Sequence, residues 1–298
     1  MVVSLPADVL ERYERFSLYN SPYVAHDRGC AIDLYPGTET EIARSPVAGE
    51  VVDTRDVKAP PKAYAAEHDH LIVLDCGEHV ARTLHVDPAV EAGDRIAVGD
   101  PLGEFVRAGF FAPWVDNHVH LGFRAPDANP YRASGSLPIV PEVSPLALDW
   151  DGSGTVVETG DTYAILDAPT HPRPGAGTFA GIAASVVRSD GTNATDTSGS
   201  RRVVLDGGLS HYDGGGALPT ASDRSLASGG RIEFLGTEIG VVEERDVAWH
   251  PLSVSANGRS ITGLSLFCGR DSGFGAKLVC PDTGFEPDEC VEVSIRLK

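Results

Sequence analysis

Apolar and polar residues alternate along much of the chain, in short runs closed off by glycine and proline. Alternation with period two is the mark of a strand with one face buried. In the first half it picks out Gly49-Glu-Val-Val-Asp-Thr54, His70-Leu-Ile-Val-Leu-Asp75, Val80-Ala-Arg-Thr-Leu-His85 and Val119-His-Leu-Gly-Phe-Arg124. In the second half it picks out 154–159, 162–166, 202–205, 231–235, 239–243, 260–267 and 291–297. Helical spacing is evident only near the start, from Leu5 to Phe16. The stretch from Ala128 to Asp151 is rich in proline and serine and reads as a connection, while Arg188 to Ser200 and Asp213 to Gly230 read as polar, glycine-rich loops. The pattern predicts a mainly β protein. A first antiparallel domain, sheet- or barrel-like with a short N-terminal helix, spans 1–148, and a second β-rich, sandwich-like domain spans 149–298.

Length and charge narrow the partners. The 298 residues suffice for two domains of ordinary size. Against 43 acidic residues stand 24 Lys and Arg, a formal charge of −19. Nucleic acid and anionic membrane surfaces are therefore poor partners, since both are polyanions. The acidic surplus is dispersed, and lysine occurs only at 58, 62, 277 and 298. That composition resembles proteins adapted to high salt, halophilic archaea among them, where self-repulsion is screened. No apolar run is long enough to span a bilayer. The N-terminus lacks the layout of a secretory signal, so a cytoplasmic location is expected.

Five widely spaced cysteines without a CxxC make neither a disulfide framework nor a cysteine metal site. Cys268, Cys280 and Cys290 lie near enough in sequence for one disulfide.

Two histidine motifs carry chemistry. His118-Val-His120 places two imidazoles on the same face of a strand. Alone, such a pair is either a polar strand face or a pair of ligands. His26-Asp-Arg-Gly-Cys-Ala-Ile-Asp33 sets a His and an Asp seven apart across a glycine. A catalytic zinc takes three such nitrogen and oxygen ligands and keeps a fourth position open. His26, Asp33 and one histidine of the pair would supply that set. A second histidine could then move a proton. His68, His70 and His79 lie near the same strands, and His70, which opens one of them, reads as a polar surface residue rather than a ligand. His171, His211 and His250 form no pair with metal spacing and read as structural.

The segment His26-Asp-Arg-Gly-Cys-Ala-Ile-Asp33 resembles the HxxGxAxD motif of zinc D-Ala-D-Ala peptidases (M15 type). The following motifs resemble the lysostaphin-type (M23, LytM-like) endopeptidases of the same superfamily. They are Ser45-Pro-Val-Ala-Gly-Glu-Val-Val52, Thr83-Leu-His85, Val90-Glu-Ala-Gly-Asp-Arg-Ile-Ala-Val-Gly-Asp-Pro-Leu-Gly103 and Asn117-His-Val-His-Leu-Gly-Phe123, in the family's order across about residues 21–125. The resemblance implies a zinc metallopeptidase domain with one zinc per chain, held by His26, Asp33 and His120. It implies catalytic roles for His118 and His85 and a peptide-like substrate. Two features depart from the M23 pattern. The first ligand sits seven residues before Asp33 rather than four, and an apolar stretch containing Phe110, Phe111 and Trp114 replaces a glycine-rich loop. A non-catalytic module that keeps the fold, and with it the zinc, is the competing expectation. The second half resembles no family, and a role in binding substrate or partner rests on fold pattern alone.

Overall fold

A computed structural model of the chain describes residues 1–37, 40–175, 177–187, 200–221 and 229–298. It is nearly all β, as the alternation predicts, and divides into two compact units. The first comprises Met1–Leu18 and Tyr23–Glu142; the second comprises Tyr19–Pro22 and Val143–Lys298.

The first unit runs β1 (Val3–Leu5), α1 (Ala7–Leu10), β2 (Arg15–Ser17), a 3-10 segment (Val24–Gly29), β3 (Ala31–Tyr35), β4 (Ile42–Arg44) and β5 (Gly49–Lys58). It continues through β6 (His68–Asp75), β7 (Val80–Leu84), β8 (Val86–Pro88), β9 (Arg95–Ile96), β10 (Pro101–Phe105), β11 (Val119–Arg124) and β12 (Ile139–Pro141). Its main sheet is antiparallel in the order β2-β3-β11-β7-β6-β5-β9. In a smaller sheet, β4-β10-β8, lies β10, the second strand after Val90; the first, β9, pairs with β5 in the main sheet instead.

The helix expected over Leu5 to Phe16 shrinks to the four residues of α1. Its flanks are claimed by sheet pairing: β1 lies parallel to β12, and β2 lies antiparallel to β3. Ladder hydrogen bonds made in the tertiary structure override a modest helical propensity. Strand β3 showed no alternation in sequence because all five of its residues are buried, on both faces. In β11 the same double burial has a chemical consequence. Val119, Leu121 and Phe123 fill one face, and His120, Gly122 and Arg124 are sealed under the other.

The second unit contains a closed antiparallel barrel of six strands. Ala180–Val187 pairs with Ser200–Leu209, which pairs with Gly214–Pro219 and on through Asp246–Trp249, Thr237–Glu243 and Gly230–Phe234 back to Ala180–Val187. The barrel closes in this unit, whereas the first unit's main sheet is open. Leu146–Leu148 pairs with Ala180–Ile182 and so belongs to the second unit. Gly214–Pro219 lies inside the stretch expected to be a loop. Its glycines make a strand because rings sit where side chains would stand. A Cβ at Gly215 would come 2.2 Å from the Trp249 ring, and one at Gly216 would come 2.2 Å from the Tyr19 ring. Most of the other expected loop, 188–199, lies outside the described residues, as does 222–228. No disulfide joins any of the five cysteines: Cys268 and Cys280 are buried and Cys290 is exposed. Among the described residues no helix is long and apolar enough to cross a membrane.

Candidate metal centre

Strand pairing brings Asp33 and His120 directly opposite each other, in the register His120↔Asp33 between β11 and β3. Directly opposed residues project to the same face, so the carboxylate and imidazole meet there. Asp33 Oδ1 lies 2.9 Å from His120 Nδ1. His26 arrives from the 3-10 segment ahead of β3. Arg28 and Gly29, both left-handed at φ 57° and 61°, turn the chain back on itself. The turn absorbs the long seven-residue spacing, leaving His26 Nε2 at 3.4 Å from Asp33 Oδ1 and 3.2 Å from His120 Nδ1. The three side chains are buried, and their ligand atoms all lie within 4.8 Å of one another.

Backbone carbonyls set which ring nitrogens can accept. His26 Nδ1 donates to Leu18 O at 2.9 Å, and His118 Nδ1 donates to Asp116 O at 2.8 Å. A carbonyl accepts only, so each of these nitrogens carries a proton, and His118, neutral at pH 7, keeps the lone pair of its Nε2. Both Nε2 atoms face Asp33 Oδ1, His118 at 3.5 Å. Asp33 thus faces an acceptor in His118 Nε2, while His120 Nδ1 and His26 Nε2 lie within reach of its Oδ1. Converging lone pairs in a buried place are costly unless a cation joins them.

The residues fit zinc. Bonds of about 2.0–2.1 Å in a tetrahedron put ligand atoms about 3.3 Å apart, close to the 2.9, 3.2 and 3.4 Å separations here. The carbonyl partner on His26 is the kind of outer hydrogen bond that fixes a ligand's tautomer. Charge agrees with geometry. Burial alone would raise the Asp33 carboxyl, but His26, His118 and the hydrogen bonds from His120 and His26 hold it well below the ordinary range. Burial pushes His118 and His120 down to about 4, against the pull of Asp33, so both rings are neutral at pH 7.

His118 and His85 stand beside this set rather than in it. Their ring centroids are 4.9 Å apart, and His85 is 5.6 Å from the ring of His120. His85 follows β7 in a left-handed conformation, φ 71°, an uncommon state for a residue with a side chain. Asp69 holds it there, accepting from the His85 backbone N–H at 3.0 Å and from Nδ1 at 2.7 Å. Asp69 was not singled out in the sequence. Its signal was present: it is in phase with Leu71 and Val73, on the buried face of β6. Burial works to raise the Asp69 carboxyl, but His85 and the backbone N–H groups of His70 and His85 hold it below the usual carboxylate range.

The stretch around Phe110 lies over these two histidines. The Phe111 ring stands 5.0 Å from His85 and 4.8 Å from His118. Phe111 packs in a small cluster with Tyr35, Ala108 and Val115. Arg107 staples the loop, its guanidinium donating to the carbonyls of Ala112, Pro113 and Val115 and lying 4.6 Å over the Phe111 ring. His70 lies apart, near Asp56 and Asp87. His171 and His250 make hydrogen bonds within the second unit.

A comparison with curated proteins found no match. The solved structures similar to the chain include two of lysostaphin. One, a solution structure by NMR, is 12% identical at a TM-score of 0.26, over 80% of this chain and 89% of that one. The other, the antimicrobial peptidase lysostaphin from Staphylococcus simulans, is 12% identical at 0.27, over 87% and 88%. Residues 4–141 match the model of the N-terminal domain of the domain of unknown function DUF8155, and residues 146–296 match that of its C-terminal domain. Matched from residue 4 to residue 296, the chain belongs to the DUF8155 family.

Proposed function

We propose that the first unit is a zinc-dependent hydrolase resembling the M23 endopeptidases, cleaving a peptide or amide bond. The observation that carries this reading is the buried His26, Asp33 and His120 set, three ligand atoms within 4.8 Å of one another. Zinc held there would lower the pKa of water and polarise a carbonyl. His26 Nε2, Asp33 Oδ1 and His120 Nδ1 are the ligands in this account. His118, neutral with its Nε2 turned to the site, accepts a proton from the attacking water and passes it to the leaving amine. His85, its Nδ1 held by Asp69 and its ring 4.9 Å from that of His118, is placed in the arrangement by which a carboxylate fixes a histidine's tautomer. Three protein ligands leave one position open, as catalytic sites do.

A second reading has an observation of its own. His85, His118 and His120 are all buried, and Phe111 covers two of them. A site so enclosed also suits a non-catalytic module that keeps zinc for its fold. Hydrolysis of a panel of short peptides by the zinc-loaded chain separates the two. Cleavage that disappears in His118→Ala while zinc content holds supports the hydrolase. No cleavage by wild-type or by Phe111→Ala, with zinc bound in both, supports the module.

A further inference from the structure

The buried face of β11 that bears His120 carries a second polar group further along, of opposite charge to the carboxylate beside His120. Arg82 of β7 stands opposite Gly122, and Arg124 stands opposite Val80. The two arginines are thus diagonal neighbours on one face, about 7–8 Å apart in the backbone. Both are nearly sealed: Arg124 is 1% exposed and Arg82 is 7% exposed. Arg124 donates through Nη2 to Arg132 O at 2.6 Å. Its Nε and Nη1, and the Nε of Arg82, are buried with no hydrogen-bond partner. The same is true of Ser136 Oγ, which stands 3.4 Å from where a Cβ on Gly122 would be. Gly135 brings the covering loop to the same place, its Cβ position 3.2 Å from Arg124 Nη1.

Among the described residues no carboxylate lies within 4.0 Å of either guanidinium. Burial, and then the charge of Arg124, push Arg82 down to about 10, which still leaves it protonated at pH 7. Two like charges buried together without a counter-charge are strongly unfavourable. Donors that are buried and unused add to the cost. Of the acidic side chains among the described residues, none is placed to neutralise this pair.

We propose that Arg82, Arg124 and Ser136 form a buried site for a small inorganic anion, a halide or a compact oxyanion. Such an anion accepts from the three unpartnered guanidinium N–H groups and the Ser136 hydroxyl together. Gly122 leaves the floor of the site without a side chain. The site is separate from the metal centre and stands whether or not zinc binds there.

The test is thermal unfolding of the full chain in sodium bromide and in sodium sulfate, each against sodium isethionate, whose anion is bulky, at matched ionic strength. The wild-type Tm should rise by on the order of 5 °C and saturate in at least one of the two salts. Which salt saturates at lower concentration assigns halide or oxyanion. Arg124→Met should lose the saturating rise while remaining at least as stable in isethionate, because it removes an uncompensated charge. Ser136→Ala, a milder change, should weaken the response and serves if Arg124→Met does not fold. Crystals of the wild-type chain grown in bromide should show an anomalous peak between the two guanidinium groups if the site takes halide. Equal salt responses in wild-type and both variants would overturn the proposal. So would wild-type crystals from bromide and from sulfate in which neither anion lies between Arg82 and Arg124.

Discussion

His118 Nε2 faces Asp33 Oδ1 at 3.5 Å with its own proton committed elsewhere, on Nδ1 to the Asp116 carbonyl. His118 thus gives Asp33 no proton, and the metal reading rests on the carboxylate, His26 and His120 converging beside that free lone pair. Because the His120 ring is already neutral at pH 7, a metal at its Nδ1 needs that proton only to move to Nε2. His118 and His120 protonate in the folded chain at about 4 rather than 6.5, so the stability they contribute is full above 6.5 and is lost as the pH falls toward 4. Zinc affinity should accordingly stay level from neutral pH down to about pH 5 and fall below it, as protons begin to compete for the ligands. Titrations of zinc binding across that range would check this; an affinity that drops steeply between pH 7.5 and about 6 would contradict it.

The His85–Asp69 pair predicts a separable effect. In Asp69→Asn the amide can present N–H to His85 and favour the other tautomer. If the chain is a hydrolase, kcat/KM should fall by about 10²-fold or more with zinc content unchanged. Nitrogen NMR of the imidazoles gives a readout independent of turnover: wild-type His85 should carry its proton on Nδ1, and the variant should show that proton moved or exchanging.

Much of this fold was legible because alternation, or a short apolar run between turns, marks a strand. β5, β6, β7 and β11 were readable to within a few residues. What escaped was buried on both sides, as β3 is, or made of glycines that accommodate another residue's ring, as Gly214–Pro219 is. In the centre itself, the spacing His118-x-His120 and the pair His26 and Asp33 were visible as motifs. Their meeting was not, since it depends on the β3–β11 register and on the left-handed turn at Arg28 and Gly29. Asp69 was hidden among flanking histidines, and the covering role of Phe111 depends on a loop pinned by Arg107.

That pinned loop sets Phe111 against His85 and His118 as well as into its own small apolar cluster. Phe111→Ala should cost about 3 kcal/mol in chemical denaturation and leave zinc bound. It should also speed modification of His85 and His118 by an imidazole-directed reagent. Arg107→Ala should speed the same modification while keeping the aromatic ring. Unchanged modification rates in both variants would show that the loop does not control access.

The second unit has a pH dependence of its own. Burial pushes His211 down to about 4 from 6.5, its ring enclosed where Cβ atoms at Gly208 and Gly263 would stand 2.6 and 2.9 Å away. The unfolded chain takes up this proton below 6.5 and the folded chain does not. Stability present above 6.5 is therefore lost as the pH falls to about 4, by about 3 kcal/mol in all. Denaturant melts of wild-type and His211→Phe across that range should differ in slope, the variant being flatter.

Metal analysis tests the central claim most directly. The purified chain, loaded with zinc and dialysed, should retain about one zinc per chain and gain thermal stability on loading. His26→Ala and His120→Ala should each lose both the metal and the gain. A wild-type chain that holds no zinc, with a Tm unmoved by the metal and unchanged in the two variants, would contradict the account.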